Sequence, residues 1–164
     1  LQYYTDPLVY LSLFGGDSVS RVPGERTTNY RYRMYPQGLA SAIQECAALG
    51  RPVDLTEIGI DHGVNQSANE AERIAYFEKI LQVVQKALNE NVNLRSLHFW
   101  TLIDNFDWHQ GWDCPEIRFG FYRFNPTTGE ISSTPLVDWL AQKSKTAPES
   151  DKALLAESKS LSLI

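Results

Sequence analysis

Helix patterns and short apolar strands alternate along the middle of this chain, and that alternation limits its architecture more than any other feature. Residues 36–49 begin a helix pattern with Pro36, and Gly50 supplies a stop signal directly after it. Residues 52–57, with Val53 and Leu55 on one face, are then typical of a short strand. Alternation of this kind indicates parallel βαβ units, so we predict an α/β fold.

The same order repeats in the next part of the chain. The sequence SANE, starting at Ser67, is a capping box at the start of a second helix. Residues 94–101 are apolar and aromatic enough for a second strand, 118–124 for a further extended piece, and 126–132 for a turn around Gly129. The apolar residues predicted to share one face of the second helix are Ile74, Phe77, Leu81, Val84 and Leu88.

The carboxyl-terminal part divides into a last helix and a polar tail. Thr134 is placed to cap a helix that has Pro135 at its first position. The apolar residues that this helix is expected to bury are Leu136, Trp139 and Leu140. From residue 146 onward the composition changes to Ser, Lys and Glu. We therefore predict a folded region over 1–145 and a tail over 146–164 that is weakly helical or disordered.

Composition and charge exclude several classes of partner. The 164 residues are 43% hydrophobic, which is enough to bury a core, and carry a net charge of -5. Arg26, Arg31 and Arg33 alternate with Tyr30 and Tyr32, as in surfaces that stack single-stranded bases, but a solvated loop fits an acidic chain better. No apolar run approaches the roughly 20 residues of a membrane span. We predict neither a nucleic-acid nor a membrane partner.

Cysteine and histidine usage shows no metal-binding pattern. Cys46 and Cys114 do not have CxxC spacing, so two free thiols are the simpler interpretation. His62, His98 and His109 form neither a close pair nor an HExxH motif. We predict no metal site.

The residues best suited to chemistry follow the two predicted strands. Glu57 stands at the carboxyl end of the first, where burial of a carboxylate is costly unless capping, a salt bridge or a function requires it. Indole faces beside short acceptors suit a sugar, because a pyranose offers an apolar C–H face and a ring of hydroxyls. Taken singly, the tryptophans also fit a core and the acceptors a turn. The second strand is followed by such a cluster: Trp100, Asp104, Asn105, Asp107 and Trp108.

At these positions the chain resembles the family 1 glycoside hydrolases, mostly retaining β-glucosidases and β-galactosidases on a (β/α)8 barrel. The order and approximate spacing of the motifs agree from Gln2 to Trp139. The resemblance implies the carboxyl-terminal part of a TIM barrel, about its last two βα units, incomplete on its own. Five motifs carry it: TEIG at 56–59 (TENG in the family), FWTLIDNFDW at 99–108 (WSLLDNFEW), RFGFY at 118–122 (RFGLY), YYT at 3–5 (NYYT) and YPQGL at 35–39 (YPEGL).

The resemblance also implies a role for each of six residues. Glu57 would be the nucleophile that forms a glycosyl-enzyme, and Tyr4 would hydrogen-bond the carboxylate and hold it ionised. Trp100 would be the platform under the sugar in the subsite where cleavage occurs. The remaining sugar contacts would come from Asp107 and Trp108 at the distal hydroxyls and from Phe119 near O6.

Several positions depart from the family pattern. Asp107 replaces a Glu, which withdraws the carboxylate by about 1.5 Å and predicts a shifted glycone preference. Ile58 replaces the Asn of TENG, and Gln2 replaces the Asn before YYT. Asp54 places a charge in a strand that a barrel buries on both faces. Members specific for 6-phospho sugars carry a small hydroxyl residue and a Tyr in place of Asp107 and Phe119, which disfavours a phosphorylated substrate.

The resemblance therefore implies a retaining β-glycosidase, with β-glucosidase as the favoured activity. Retaining hydrolysis needs two carboxyl groups about 5–5.5 Å apart, and this chain holds only Glu57. The general acid of the family lies in an Asn-Glu-Pro motif, which we expect in a missing amino-terminal part. The expected partners are a small-molecule or oligosaccharide glycoside and that remaining part of the barrel. No cofactor is implied, since the reaction uses two carboxylates and water, and this chain alone is expected to be inactive.

The alternative is a non-catalytic glycan-binding or receptor-like protein derived from the same barrel. The changes at Ile58, Gln2 and Asp107 favour it, whereas Glu57 and Tyr4 argue against it, because binding alone has no need of a nucleophile. A small structural βαβ module does not explain the ordered motifs.

Overall fold

A computed structural model describes residues 1–5, 8–9, 19–20, 32–61, 69–108, 111–113 and 117–146. Seven strands and three helices lie within these ranges. In chain order they are β1 (Gln2–Tyr3), β2 (Leu8–Val9), β3 (Val19–Ser20), α1 (Pro36–Ala47), β4 (Val53–Gly59), α2 (Asn69–Asn89), β5 (Leu94–Trp100), β6 (Tyr122–Phe124), β7 (Ile131–Ser133) and α3 (Pro135–Thr146).

The main sheet is parallel and has the strand order β1-β4-β5. Gln2 pairs with Glu57, and Gly59 pairs with Trp100, so the carboxyl ends of all three strands lie at one edge. The helix α2 connects β4 to β5, which confirms the predicted parallel βαβ unit. This edge of the sheet, with the segments that follow each strand, carries the residues discussed below.

The remaining strands form two antiparallel pairs, β2 with β3 and β6 with β7. Prediction was wrong in two details here. Only Tyr122–Phe124 of the extended piece is a strand, and Ile131–Ser133, at the end of the predicted turn, returns as its partner. The reason is local, because Asn125 Oδ1 accepts the backbone N–H groups of Thr127 and Thr128 at 2.9 and 3.2 Å and reverses the chain early.

The core lies between the sheet and the inner face of α2. Phe77 is fully buried, with ring centroids 5.1 Å from Phe99 of β5 and 6.0 Å from Trp139 of α3. The predicted face was only partly right, since Phe77 and Val84 are buried but Ile74, Leu81 and Leu88 are only partly so. Contacts with α1 and α3 on its flanks widen the buried surface of α2. Its buried residues are Arg73, Tyr76, Phe77, Ile80, Val84 and Ala87.

The predicted signals at the helix ends are confirmed at two places. Thr134 Oγ1 accepts the backbone N–H of Leu136 at 3.2 Å and caps α3. Gly50 has the left-handed φ of +67° that was predicted, although α1 already ends at Ala47, two residues earlier than the pattern indicated. Leu136 and Trp139 are buried as predicted, whereas Leu140 is only half-buried.

Some sequence predictions fall on residues outside the described ranges. Within those ranges Cys46 is a free thiol, and no group of three or more His, Cys, Asp or Glu side chains has the arrangement of a metal site. None of the helices in the described part of the chain is long and apolar enough to cross a membrane. Outside the described ranges lie Ser67 and Ala68 of the capping box, Cys114, His62, His109, Arg26, Tyr30, Arg31 and residues 147–164 of the predicted tail.

The structure explains the charge that the sequence places within β4. Asp54 accepts hydrogen bonds from Arg95 Nε at 2.9 Å and from Ser96 Oγ at 2.8 Å, both on the neighbouring strand β5. The second Asp54 oxygen pairs with Arg95 Nη2. These hydrogen bonds, first that of Arg95, lower the pKa of Asp54 from its ordinary value of 3.8 to about 2. The charge is therefore satisfied between strands.

We expect Asp54 to contribute to stability above about pH 4 and to lose that contribution as the pH falls toward 2. The pKa in the folded state is the lower one, so the unfolded chain binds the proton first and acid favours unfolding. Asp54→Asn should flatten the fall in urea midpoint between pH 5 and pH 3. The effect is small, because the Arg95 side chain is 66% exposed. Asp138→Asn, at an exposed position of α3, is the matched control and should leave the pH dependence of the urea midpoint unchanged. An equal fall in urea midpoint with pH for wild type and Asp54→Asn would contradict the prediction.

Candidate active site

The Glu57 carboxylate is held by two donors from the neighbouring strand. Tyr4 Oη donates to Glu57 Oε2 at 2.6 Å, the contact expected from the sequence resemblance. Gln2 Nε2 donates to the other oxygen, Oε1, at 2.8 Å. Because successive strand residues face opposite sides, Gln2 and Tyr4 share one face while Tyr3 packs into the core. Glu57 is half-buried, so part of the residue remains accessible.

The hydroxyl of Tyr4 is a stable hydrogen-bond donor to this carboxylate. Burial, then the hydrogen bond to Glu57 and its negative charge, raise the pKa of Tyr4 well above its ordinary value of 10.0. Tyr4 therefore stays protonated throughout the neutral range. Two further aromatic rings pack around it, Phe119 edge-on at 6.1 Å and Tyr32 tilted at 6.2 Å between centroids. Phe119 therefore contacts the same tyrosine that is hydrogen-bonded to Glu57.

At Gly59, the last residue of β4, Tyr4 and Trp100 both approach the backbone closely. A Cβ at this position would lie 2.7 Å from the Trp100 carbonyl oxygen and 2.9 Å from Tyr4 Cε1. Only glycine permits both neighbours to approach the strand this closely. Trp100 is half-buried, and the peptide bond between it and Thr101 is cis. Trp100 thus lies beside Gly59, two residues beyond Glu57, at the same edge of the sheet.

Two more carboxylates lie close enough to Tyr32 for their negative charge to act on its hydroxyl. Burial raises the pKa of Tyr32, and the negative charges of Asp61 and Asp107 raise it further. Asp61 is fully buried and lies four residues after Glu57. Asp107 is half-buried and is fixed through its backbone, which is bridged to Gly111. Tyr32, which packs on Tyr4, is therefore also within electrostatic reach of Asp107.

Trp108 differs from the other five predicted site residues. Its side chain is 91% exposed, and two apolar residues close to it in the sequence, Leu102 and Phe106, are exposed as well. Exposed apolar side chains next to a site are typical of places that another element or a ligand covers. We call these three exposed residues, Leu102, Phe106 and Trp108, the rim patch.

A buried arginine ties together the segments that carry these residues. Arg73 of α2 is 1% exposed, and its guanidinium donates to the Ile60 carbonyl at 3.2 Å. It also donates to the Phe119 carbonyl at 2.5 Å and to the Gly120 carbonyl at 3.2 Å. Burial lowers the pKa of Arg73 to about 10, so the cation persists at neutral pH. Arg73 thus links the end of β4 to the backbone of Phe119.

Asp104 is the second anchor of this segment. Its Oδ1 accepts the Gly120 N–H at 2.9 Å, and it forms ion pairs with Arg123 at 3.4 Å and Arg118 at 3.9 Å. A Cβ at Gly120 would lie 2.3 Å from the Tyr122 carbonyl oxygen, so the contact requires glycine. Asp104 is buried within these contacts. Asp104 is therefore a structural residue, although the sequence analysis grouped it with the sugar-binding acceptors. Asn105, from the same group, is exposed, and its side chain donates a hydrogen bond to the Phe106 carbonyl.

Sequence reasoning assigned no role to three residues that the structure brings into the site. Gln2 had a detectable signal, because positions 2 and 4 of a strand share a face. Arg73 also had a signal, because it lies three positions after Glu70, the spacing at which two side chains meet on a helix. The two side chains form an ion pair at 3.3 Å. Tyr32 had none, since its contact with Tyr4 joins segments far apart in the chain.

Comparison with known proteins gives one consistent result. The model of glycosyl hydrolase family 1 matches residues 16–135. A β-galactosidase of Pyrococcus woesei is 30% identical over 99 residues, which is 60% of this chain and 18% of that protein. A 6-phospho-β-galactosidase of Streptococcus pneumoniae is 32% identical over 109 residues, 61% of this chain and 23% of that protein.

Solved structures agree at the level of the fold. The crystal structure of a β-glucosidase from Exiguobacterium marinum superposes with a TM-score of 0.73 at 21% identity, over 89% of this chain and 34% of that one. The chain therefore spans about a fifth of the length of the curated relatives and a third of the solved barrel. What is described here is part of a barrel.

Proposed function

The chain belongs to glycosyl hydrolase family 1, and we propose that it is the carboxyl-terminal part, about the last two βα units, of a retaining β-glycosidase. We propose β-glucosidase as its activity. The observation that carries this proposal is the double hydrogen bond on Glu57. A carboxylate near the end of a parallel strand, on a half-buried residue and held by Tyr4 and Gln2, suits a nucleophile.

The reaction that we propose has two steps. In the first, an oxygen of Glu57 forms a bond to the anomeric carbon while the bond to the glycosidic oxygen breaks, and a general acid protonates that leaving oxygen. In the second, water attacks the anomeric carbon, its proton passes to the same general acid, now a base, and Glu57 is released. Tyr4 stabilises the ionised carboxylate before attack and after release. Two carboxyl groups and water complete the chemistry without a cofactor.

The other predicted residues are proposed to bind the sugar. Trp100 offers an indole face at the end of β5, and its approach to Tyr4 across Gly59 supports a place beside Glu57. Phe119 packs on Tyr4 and is proposed to lie near O6. Asp107 and Trp108 are proposed to bind the distal hydroxyls. With Asp107 in place of the usual Glu, the shorter reach is proposed to alter the choice of glycone.

The general acid is proposed to come from an amino-terminal part of the barrel, which would also be the chain's protein partner. Two features support this partner. Within the described sheet, β1 and β5 each have one edge without a neighbouring strand. The Trp108 indole in the rim patch is also largely exposed to water. An indole stabilises a bound sugar through its apolar face more strongly when that face is shielded from water. An adjoining part of the barrel would cover both.

The test is to trap the glycosyl-enzyme in the complete protein. An activated 2-deoxy-2-fluoro-β-glucoside slows breakdown of the intermediate, because fluorine opposes the positive charge of the oxocarbenium-like transition state. We expect the mass of one fluoroglucosyl group on the peptide that contains Glu57, together with loss of turnover. Labelling of a different carboxylate, or turnover that continues with no label, would contradict the proposal.

A further inference from the structure

We propose that Gln2 is a second positioning residue for the Glu57 carboxylate and that it acts on the oxygen that Tyr4 does not reach. This rests on the proposed function, because it concerns the same nucleophile. Gln2 Nε2 lies 2.8 Å from Oε1, and Tyr4 Oη lies 2.6 Å from Oε2. Each carboxylate oxygen therefore has a donor of its own.

The backbone of the sheet holds Gln2 at this place. Gln2 and Glu57 are paired residues of adjacent parallel strands, so their side chains lie side by side, with the strands about 4.8 Å apart. On one side of Gln2, the Leu1 nitrogen donates to the Asp54 carbonyl at 2.8 Å, and the Thr56 nitrogen donates to the Leu1 carbonyl at 2.9 Å. On the other side, Tyr3 is buried in the core. The Gln2 side chain starts from a fixed backbone.

A single donor does not fix the orientation of a glutamate carboxylate. The last torsion of Glu is broad, so a carboxylate bonded through one oxygen can turn about its Cγ–Cδ bond. A donor on each oxygen removes this freedom and sets the plane of the group. Attack at the anomeric carbon requires one lone pair in line with the bond that breaks, and small misplacement is costly in rate. Gln2 therefore acts on the rate of the chemical step through Glu57, and not on the sugar.

The amide is suited to this task by its chemistry. It carries no charge at any accessible pH, so it donates a hydrogen bond without forming an ion pair that would weaken the nucleophile. Its replacement by a carboxylate of equal length keeps the shape but turns a neutral donor into a negatively charged acceptor. Gln2→Glu is the variant that tests the proposal most directly.

In Gln2→Glu of the complete protein, we expect the acid limb of the kcat/KM profile to move to higher pH by about one unit or more. Two carboxyl groups within about 3 Å of one another hold a shared proton, and attack must wait for its loss. The basic limb, set by the general acid, should keep its position. Gln82→Glu, an exposed position of α2 with the same change of charge, is the control and should leave both limbs unchanged.

Gln2→Ala provides a second and independent measurement. Loss of the donor should lower kcat by about 10–100-fold while KM changes much less, because Gln2 is proposed to act through the orientation of Glu57. Circular dichroism and the urea midpoint establish that each variant is folded. If Gln2→Glu does not fold, the kcat and KM of Gln2→Ala decide the question.

The outcomes separate this inference from the proposed function. If the wild-type protein does not form the fluoroglucosyl adduct on Glu57, the proposed function fails, and the inference with it. If the adduct forms but Gln2→Glu keeps the wild-type pH profile, or loses activity equally at all pH values, the inference alone is overturned. A wild-type kcat in folded Gln2→Ala also overturns it.

Discussion

Glu57→Gln should lower kcat of the complete protein by about 10⁴-fold or more, the loss typical of removing a residue that forms a covalent intermediate. An amide oxygen is a poor nucleophile and carries no negative charge to stabilise the oxocarbenium-like transition state. The fold should be kept, because Gln has nearly the shape of Glu and its carbonyl oxygen can still accept the Tyr4 hydrogen bond. Steady-state turnover of a β-glucoside is the measurement.

The matched control is Glu130→Gln, the same chemical change at an exposed position after β6, which should retain wild-type turnover. Glu57→Gln should still bind the glycoside, as measured by calorimetry, since Trp100 and Asp107 are unchanged. Turnover retained in Glu57→Gln would remove Glu57 as the nucleophile. A wild-type protein that binds glycosides and never turns them over would instead support the glycan-binding alternative.

Arg73→Met should lower the free energy of unfolding by about 3–5 kcal/mol, as expected when one partner of a buried ion pair is removed. The substitution keeps an unbranched apolar side chain but takes away the donors to the Ile60, Phe119 and Gly120 carbonyls. Each buried carbonyl left without a donor costs about 1–3 kcal/mol. Glu70 loses its partner inside the fold, although Arg123 still pairs with it. Urea unfolding followed by circular dichroism measures the change.

Arg51→Met is the control, because Arg51 is exposed between α1 and β4 and the same loss of charge there should cost less than about 1 kcal/mol. A midpoint for Arg73→Met equal to that of Arg51→Met would show that the buried network adds nothing to stability. A second consequence should accompany the loss. Phe119 is held through its own carbonyl, so limited proteolysis between residues 113 and 123 should become faster in Arg73→Met.

The elements that sequence alone predicted well are those whose signals are local. Pro36 at the start of α1, Thr134 before α3 and the apolar strand over 94–100 each carry their pattern within one turn or one strand. The contact of Tyr4 with Glu57 was also expected, but from resemblance to a family and not from any property of two residues 53 positions apart.

The elements that sequence predicted less well are those fixed by neighbours far along the chain. The inner face of α2 is centred on Phe77 and Ile80 because it packs on the sheet with α1 and α3 on its flanks, which a 3.6-residue pattern does not encode. The pairing of β7 with β6 depends on an early reversal at Asn125. Asp104 had the sequence signature of a sugar-binding acceptor and is a buried anchor, because only the folded chain brings Gly120 and Arg123 to it.

Sequence by itself determined that this chain alternates helices and parallel strands, that Glu57 ends up near a strand end and that aromatic residues follow the next strand. Periodicity and end signals suffice for this, since they act over a few residues. Tertiary structure alone decided which side chains meet there. Strand register and helix packing set the hydrogen bond of Gln2, the ring contacts of Tyr32 and Phe119 with Tyr4, and the hydrogen bonds of Arg73. The physical reason is that hydrogen bonds and ring contacts act over a few ångströms, whereas the residues that make them are separated by tens of positions in the chain.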